Sequence, residues 1–225
     1  MWQAVGAVLG HAVGIAISPA AIIAVILVLF SARKTVNSLL FLAGWILGVG
    51  VAFYVIASLA DGADVATDSG ASDGQAILQL LLALLFFVLA VKQWRGRPKE
   101  GEPQKPNKLF EKVADMGPGL ALGLAVLMTV ANPKNLALIV SAAGEAATYG
   151  LSSGDLLIVT IVFTLVSALG VGVPVVYALA AGESASETLT SWRTWMTANS
   201  ATIMIVLFVI LGAKMAGSGI SSLAN

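Results

Sequence analysis

Six apolar runs separated by short polar stretches divide the chain, at residues 2–30, 36–60, 75–94, 117–147, 156–181 and 199–216. A helix needs about 20 residues to cross bilayer hydrocarbon, so the third and sixth runs fit one crossing while the first and fourth exceed it by about half. Those two overlong runs are also the interrupted ones. The first holds Ile17-Ser18-Pro19-Ala20-Ala21, and the fourth holds Val130-Ala131-Asn132-Pro133-Lys134-Asn135-Leu136. Proline lacks an N–H and clashes with the preceding turn, so each run should break into two half-helices and free backbone groups that hydrocarbon cannot satisfy. Both prolines fall near the middle of their runs, which puts the breaks near the membrane midplane. The expected fold is all-α: a polytopic membrane protein of six transmembrane helices.

Comparing the chain with itself adds an internal order. Leu47-Gly48-Val49-Gly50-Val51 recurs as Leu169-Gly170-Val171-Gly172-Val173, preceded at the same distance by Phe41 and Phe163. Ser18-Pro19 matches Asn132-Pro133 in the same order. Three is odd, so a second three-span copy enters the membrane from the opposite side. The pattern predicts two inverted three-helix repeats with broken first helices, an architecture of secondary transporters whose sites lie at the repeat interface. The expected units are residues 1–94, a basic linker over 95–116, and residues 117–225.

The charges orient this plan. Arg33 and Lys34 follow the first run; Lys92, Arg95, Arg97, Lys99, Lys105, Lys108 and Lys112 surround the third connection; Arg193 lies between the last two runs. The alternate connections carry Asp61, Asp64, Asp68, Asp73 and Asp155 and no Lys or Arg. The positive-inside rule then puts both termini outside a cell inner (plasma) membrane and the linker in the cytoplasm. Residues 1–32 contain no basic residue, so the first run reads as a permanent span rather than a signal peptide. Within the linker, Leu109, Phe110 and Val113 could form a short amphipathic turn at the membrane surface.

Composition narrows the chemistry. The 225 residues are 58% hydrophobic and 11% charged, with one His and no Cys. Thiol chemistry and disulfides are thereby excluded, and a protein-built metal site is not expected. No nucleotide-binding loop, H-E-x-x-H or G-x-S-x-G motif is present. Neither a resident ATPase nor an enzyme activity is expected, and no cofactor or nucleic-acid partner is implied.

What remains is the chemistry of the breaks. Half-helices starting at Pro19 and Pro133 would present unpaired N–H groups and the positive ends of their dipoles, a ready anion site. Lys134 adds a full charge, and Ser18, Asn132 and Asn135 add hydrogen-bonding groups. Ser18, Pro19, Asn132, Pro133, Lys134 and Asn135 are therefore the candidate substrate-binding residues. A buried ammonium costs at least ~2.5 kcal/mol at a helix centre, so Lys134 needs a partner, either Glu145 or carbonyls freed by the first break. Ser18 and Asn132 should also cap the half-helices that follow them. His11, whose ring titrates near neutrality, and Glu145 are candidates for a proton relay or gate. Glu145 and Lys214 otherwise read as snorkelling near the outward ends. Arg33 and Lys34 are candidates for receiving an anionic head group. Glycines at 6, 10 and 14, at 44 and 48, and at 119 and 123 form stripes suited to close helix packing, and Gly170, Gly172 and Pro174 form a candidate hinge.

The succession of His11-Ala12-Val13-Gly14-Ile15-Ala16-Ile17-Ser18-Pro19, Leu27 to Arg33, Phe41-Leu42-Ala43-Gly44-Trp45-Ile46-Leu47-Gly48 and Asn132-Pro133-Lys134-Asn135-Leu136 resembles the GAP family of actinobacterial membrane proteins. These sulfolipid- or peptidoglycolipid-addressing proteins belong to the lysine exporter (LysE) superfamily. The resemblance covers essentially the whole chain. It implies six helices in two inverted units, a part in delivering glycolipids to the cell surface, and Ser18, Pro19, Asn132, Pro133, Lys134 and Asn135 as the shared core. The expected function is a secondary transporter or flippase that carries an anionic amphiphile, a glycolipid or lipid phosphate, to the outer leaflet by alternating access. Membrane lipids would be partners and a homodimer is reasonable. Two alternatives stay open: an exporter of a small soluble solute such as an amino acid or ion, and a non-transporting partner of a lipid export machine.

Overall fold

The structure is a computed structural model that describes residues 1–64, 71–97 and 116–224. Most of the linker expected over 95–116, with its amphipathic turn, lies outside the described residues, as does Asp68. The described residues form helices and no strands: α1 (Trp2–Ala16), α2 (Pro19–Leu29), α3 (Lys34–Asp64), α4 (Ala71–Arg95), α5 (Pro118–Val130), α6 (Pro133–Ala147), α7 (Ser153–Ala181) and α8 (Ala185–Ala224). A three-residue 3₁₀ turn, Gly182–Ser184, joins the last two.

Both expected breaks are present. α1 and α2 meet at 56°, and α5 and α6 at 64°. In the first break Ser18 is extended (φ −125°, ψ 92°) and its N–H turns back to the Ala16 carbonyl. Pro19 has no N–H to give, so the carbonyls of the last turn of α1 are left to find other donors. Asn132 (φ −83°, ψ 115°) makes the equivalent corner. Pro174, by contrast, lies within α7 without ending it.

Three apolar helical stretches are long enough to cross a membrane, namely Lys34–Ala60, Ala76–Arg95 and Ser153–Leu223, and each bent pair passes the same test when its halves are counted together. The described residues thus offer three to five candidate spans of a multi-pass membrane protein. The longest stretch contains both α7 and α8, parted where Gly182 takes φ 59°, a left-handed conformation that glycine adopts without a Cβ penalty.

The helices interleave. α4 runs along α8, α3 along both α5 and α7, and α1 along α6 and α7. Lipid is as apolar as the side chains, so contact quality rather than water exclusion holds such a bundle together. Two glycine sites set the closest approaches. A Cβ on Gly48 would strike Thr129 of α5, and one on Gly170 would strike the Ala16 carbonyl of α1. Gly44 likewise lies against the Leu122 carbonyl. In the first stripe Gly14 packs closely, an added Cβ lying 3.1 Å from Leu138, and Gly10 is in ordinary contact, but Gly6, Gly119 and Gly123 have no atom within 4 Å of an added Cβ, because they are exposed on α1 and α5. Around the α3–α7 contact, Phe53 stacks on Phe163 at 4.4 Å, and the fully buried Trp45 donates its indole N–H to the Ser167 carbonyl at 3.2 Å.

Candidate functional site at the broken helices

Lys134 starts α6 as its second residue, and the side chain crosses to α1. Its Nζ donates to the Gly14 carbonyl at 2.9 Å and the Ile17 carbonyl at 3.0 Å. These are carbonyls that the Ser18-Pro19 corner strips of helical donors. The ammonium therefore caps the negative end of α1 from another helix, and only 2% of the residue is accessible. Of the two partners considered for it, the released carbonyls are the ones it reaches. Two of its three N–H donors are used in this way.

The two corners are capped differently. Asn132 Oδ1 accepts from the Lys134 N–H at 3.0 Å, a side-chain N-cap. Ser18, although buried, makes no side-chain cap. The capping expected of Ser18 is thus corrected: its hydroxyl caps none of the first-turn N–H groups of α2. Pro19 and Pro133 each occupy the first position of their half-helix. Asn135 is fully buried; its Nδ2 donates to the Met128 carbonyl at 3.1 Å, while its Oδ1 has no partner.

Further along the same α1–α6 seam lies a second polar group. His11, 2% accessible, has Nε2 at 3.1 Å from Ser141 Oγ and Nδ1 at 3.5 Å from Glu145 Oε2. Glu145 Oε2 is also 3.9 Å from Lys214 Nζ on α8. Glu145 and Lys214 pair with each other across two helices, where the sequence suggested separate snorkelling. Lys134, Ser141 and Glu145 are seven and four residues apart, the spacing of one helix face. They form a polar row over about 17 Å of α6 at 1.5 Å per residue.

Sequence reasoning missed Ser141, although its i+7 spacing from Lys134 was there to be read. It also missed Asn37, fully buried at the start of α3, whose Nδ2 donates to Ser31 Oγ at 3.0 Å and to the Met116 carbonyl at 2.8 Å. Asn37 fastens the start of α3 to the segment leading into α5. Arg33 and Lys34 are not part of the buried site. Both are exposed between α2 and the body of α3.

Two apolar grooves lie between other helices. One, of about 370 Å³, runs between α3 and α7, with Val51, Tyr54, Ile161 and Leu165 in its walls. The other, of about 560 Å³, lies among α2, α7 and α8. Among the described residues no cluster of His, Asp and Glu has the makings of a metal site.

The family model described as SfLAP, for Sap, sulfolipid-1-addressing protein, matches residues 8–221, a stretch that includes both corners, His11, Glu145 and Lys214. No curated protein and no solved structure matches the chain.

Proposed function

This chain belongs to the sulfolipid-1-addressing protein family, and on that premise we propose that it is a secondary transporter or flippase that moves an anionic amphiphile, a glycolipid or lipid phosphate, toward the outer leaflet by alternating access. The bundle is read as six spans in two inverted repeats of the lysine exporter type. The Ser153–Leu223 stretch supports the sixth span: its 71 residues make ~107 Å of helix against ~30 Å of hydrocarbon, so α7 and α8 count separately about Gly182.

The inversion draws support from paired contacts. Gly48 of the first copy touches Thr129, just before the second corner; its counterpart Gly170 touches Ala16, just before the first. Trp45 bonds to Ser167, the position 122 residues on, which is also the spacing of the repeated pentapeptide. Each copy grips the broken helix of the other, as a two-fold axis in the membrane plane requires.

One observation carries the functional reading: a buried ammonium is held on the carbonyls of the first corner, next to a half-helix start that no side chain caps. Lys134 keeps one donor beyond its two carbonyls, and α2 adds backbone N–H groups at the positive end of its dipole. An anionic head group would bind between these donors, with its acyl chains left against the apolar side chains that face the bilayer. Ser18, Pro19, Asn132, Pro133, Lys134 and Asn135 would bind it, while His11 and Glu145 would relay protons or gate the outer half. Arg33 and Lys34 would meet the head group on the cytoplasmic side, with both termini outside.

The test is flipping of fluorescent phosphatidylglycerol and phosphatidylcholine in proteoliposomes, read by bleaching of the outer leaflet. The parent protein is expected to move the anionic lipid faster. Lys134→Gln, which keeps a donor for α1 but no charge, should slow the anionic lipid selectively. A parent that moves neither lipid but exports a labelled amino acid would overturn the proposal in favour of a solute exporter.

A further inference from the structure

The two corners are built in the same register. At the first, the Ile17 N–H donates to the Val13 carbonyl at 2.9 Å and the Ile22 N–H to the Ser18 carbonyl at 3.0 Å. At the second, the Ala131 N–H donates to the Leu127 carbonyl at 2.8 Å and the Leu136 N–H to the Asn132 carbonyl at 2.9 Å. In that register Gly14 matches Met128, Ile17 matches Ala131 and Ala20 matches Lys134. What closes the broken end differs. Lys134 Nζ brings a positive charge to the Gly14 and Ile17 carbonyls at the end of α1. Its counterpart Ala20 ends in a methyl and brings none to the end of α5. That end is short of donors. Pro133 has no N–H for the Thr129 carbonyl, and the Lys134 N–H that would reach Val130 in a continuous helix is turned to Asn132 Oδ1. Among the described residues no donor reaches the carbonyls of Thr129, Val130 or Ala131. The Met128 carbonyl accepts from Asn135 Nδ2, and the other atom of that fully buried amide, Oδ1, is unpartnered. The amide's orientation is fixed, because a flipped one would set its oxygen against the Met128 carbonyl.

We propose that the second corner binds a monovalent alkali cation, held by Asn135 Oδ1 and by released carbonyls at the end of α5, where the first corner holds the Lys134 ammonium. The occupant is argued from the equivalent end of α1, which takes a single positive charge on its released carbonyls. It is argued too from a ligand set of neutral oxygens at the negative pole of a helix dipole, the kind that replaces the hydration shell of such ions. A divalent ion would call for carboxylates, and Glu145 of α6 is engaged with His11 and Lys214 instead. Ala131 is exposed, which leaves the corner open on one side. The inference rests on the transport reading and narrows the part of Asn135 in it: the amide's free acceptor takes a cation next to the head group, not the head group's own oxygens. A cation there adds positive charge near Lys134 and so favours the anion, the linkage expected of a coupling ion.

Equilibrium binding of radiolabelled sodium, and of rubidium standing in for potassium, to the purified full-length protein in choline chloride tests this. Saturable binding of at least one of these ions, a single ion per chain, is expected. Asn135→Leu should weaken it at least about tenfold, the loss of one contact of hydrogen-bond strength to a charge. Asn135→Asp turns the neutral ligand into an anionic one and should tighten binding at least about tenfold, a gain that misfolding cannot mimic. Lys134→Gln should bind at least as tightly as the parent, because it takes a like charge away. No saturable binding of either ion by the parent, or binding indifferent to both Asn135 variants, would overturn the proposal and leave water as the partner of the orphaned amide. A protein that binds the ion but flips no lipid would lose the transport reading and keep the cation site; one that flips anionic lipid with no ion bound would lose the cation site alone.

Discussion

Replacing Lys134 by Met isolates what its ammonium contributes. The substitution keeps a side chain of similar length and removes both hydrogen bonds, to the Gly14 and Ile17 carbonyls. Hydrogen bonds to a charged group contribute about 1.5–3 kcal/mol each, so about 3–6 kcal/mol is lost. Against that, removing a charge from the middle of a span recovers about 2.5–3.5 kcal/mol. The carbonyls win by a small margin, and Lys134→Met should destabilise the protein by about 1–2 kcal/mol. Lys134→Glu keeps a charge but supplies no donor at neutral pH, and it sets an anion against two carbonyl oxygens. Leaving a buried charge uncompensated costs about 3–5 kcal/mol, so Glu should be clearly worse than Met. Both are measured by unfolding in mixed micelles against the parent protein. A Met variant as stable as the parent, or a Glu variant no worse than Met, would refute the view that Lys134 closes the end of α1.

Other substitutions address the remaining contacts, each read by the same unfolding assay unless stated. Gly48→Ala and Gly170→Ala force a methyl onto Thr129 and the Ala16 carbonyl and should each cost about 1–3 kcal/mol, whereas Gly119→Ala and Gly123→Ala meet open space and should be neutral or stabilise by up to ~1 kcal/mol. Asn132→Ala removes an observed cap and should cost ~1 kcal/mol, while Ser18→Ala removes none and should stay within ~0.5 kcal/mol. Glu145→Gln takes the anion from between His11 and Lys214, so acylation of Lys214 by a membrane-impermeant amine reagent should quicken; an unchanged rate would mean that the 3.9 Å pair does not restrain the lysine.

Much of the local architecture was legible because it depends on local properties. The apolar runs are continuous, and proline removes a donor wherever it stands, so α1–α2 and α5–α6 are broken at Pro19 and Pro133 where the sequence places them. Extents were less legible. The run at 199–216 belongs to a helix of 40 residues, because the polar segment before it, with Glu187 and Arg193, remains helical beside α2 and α7. The site was legible as a set of residues and only partly as a set of contacts. Asn132 caps as its type predicts, yet Ser18, which has the same preference, does not.

By itself, then, the sequence determined the apolar stretches, the two corners and the repeated glycine motif, each a property of neighbouring residues along one helix. The tertiary structure alone decided which groups meet across helices: Lys134 with carbonyls 117 and 120 residues away, and His11 with a serine 130 residues away. Those pairings depend on how each helix is rotated about its axis and where it crosses its neighbour. Neither is encoded in the hydropathy of any single span.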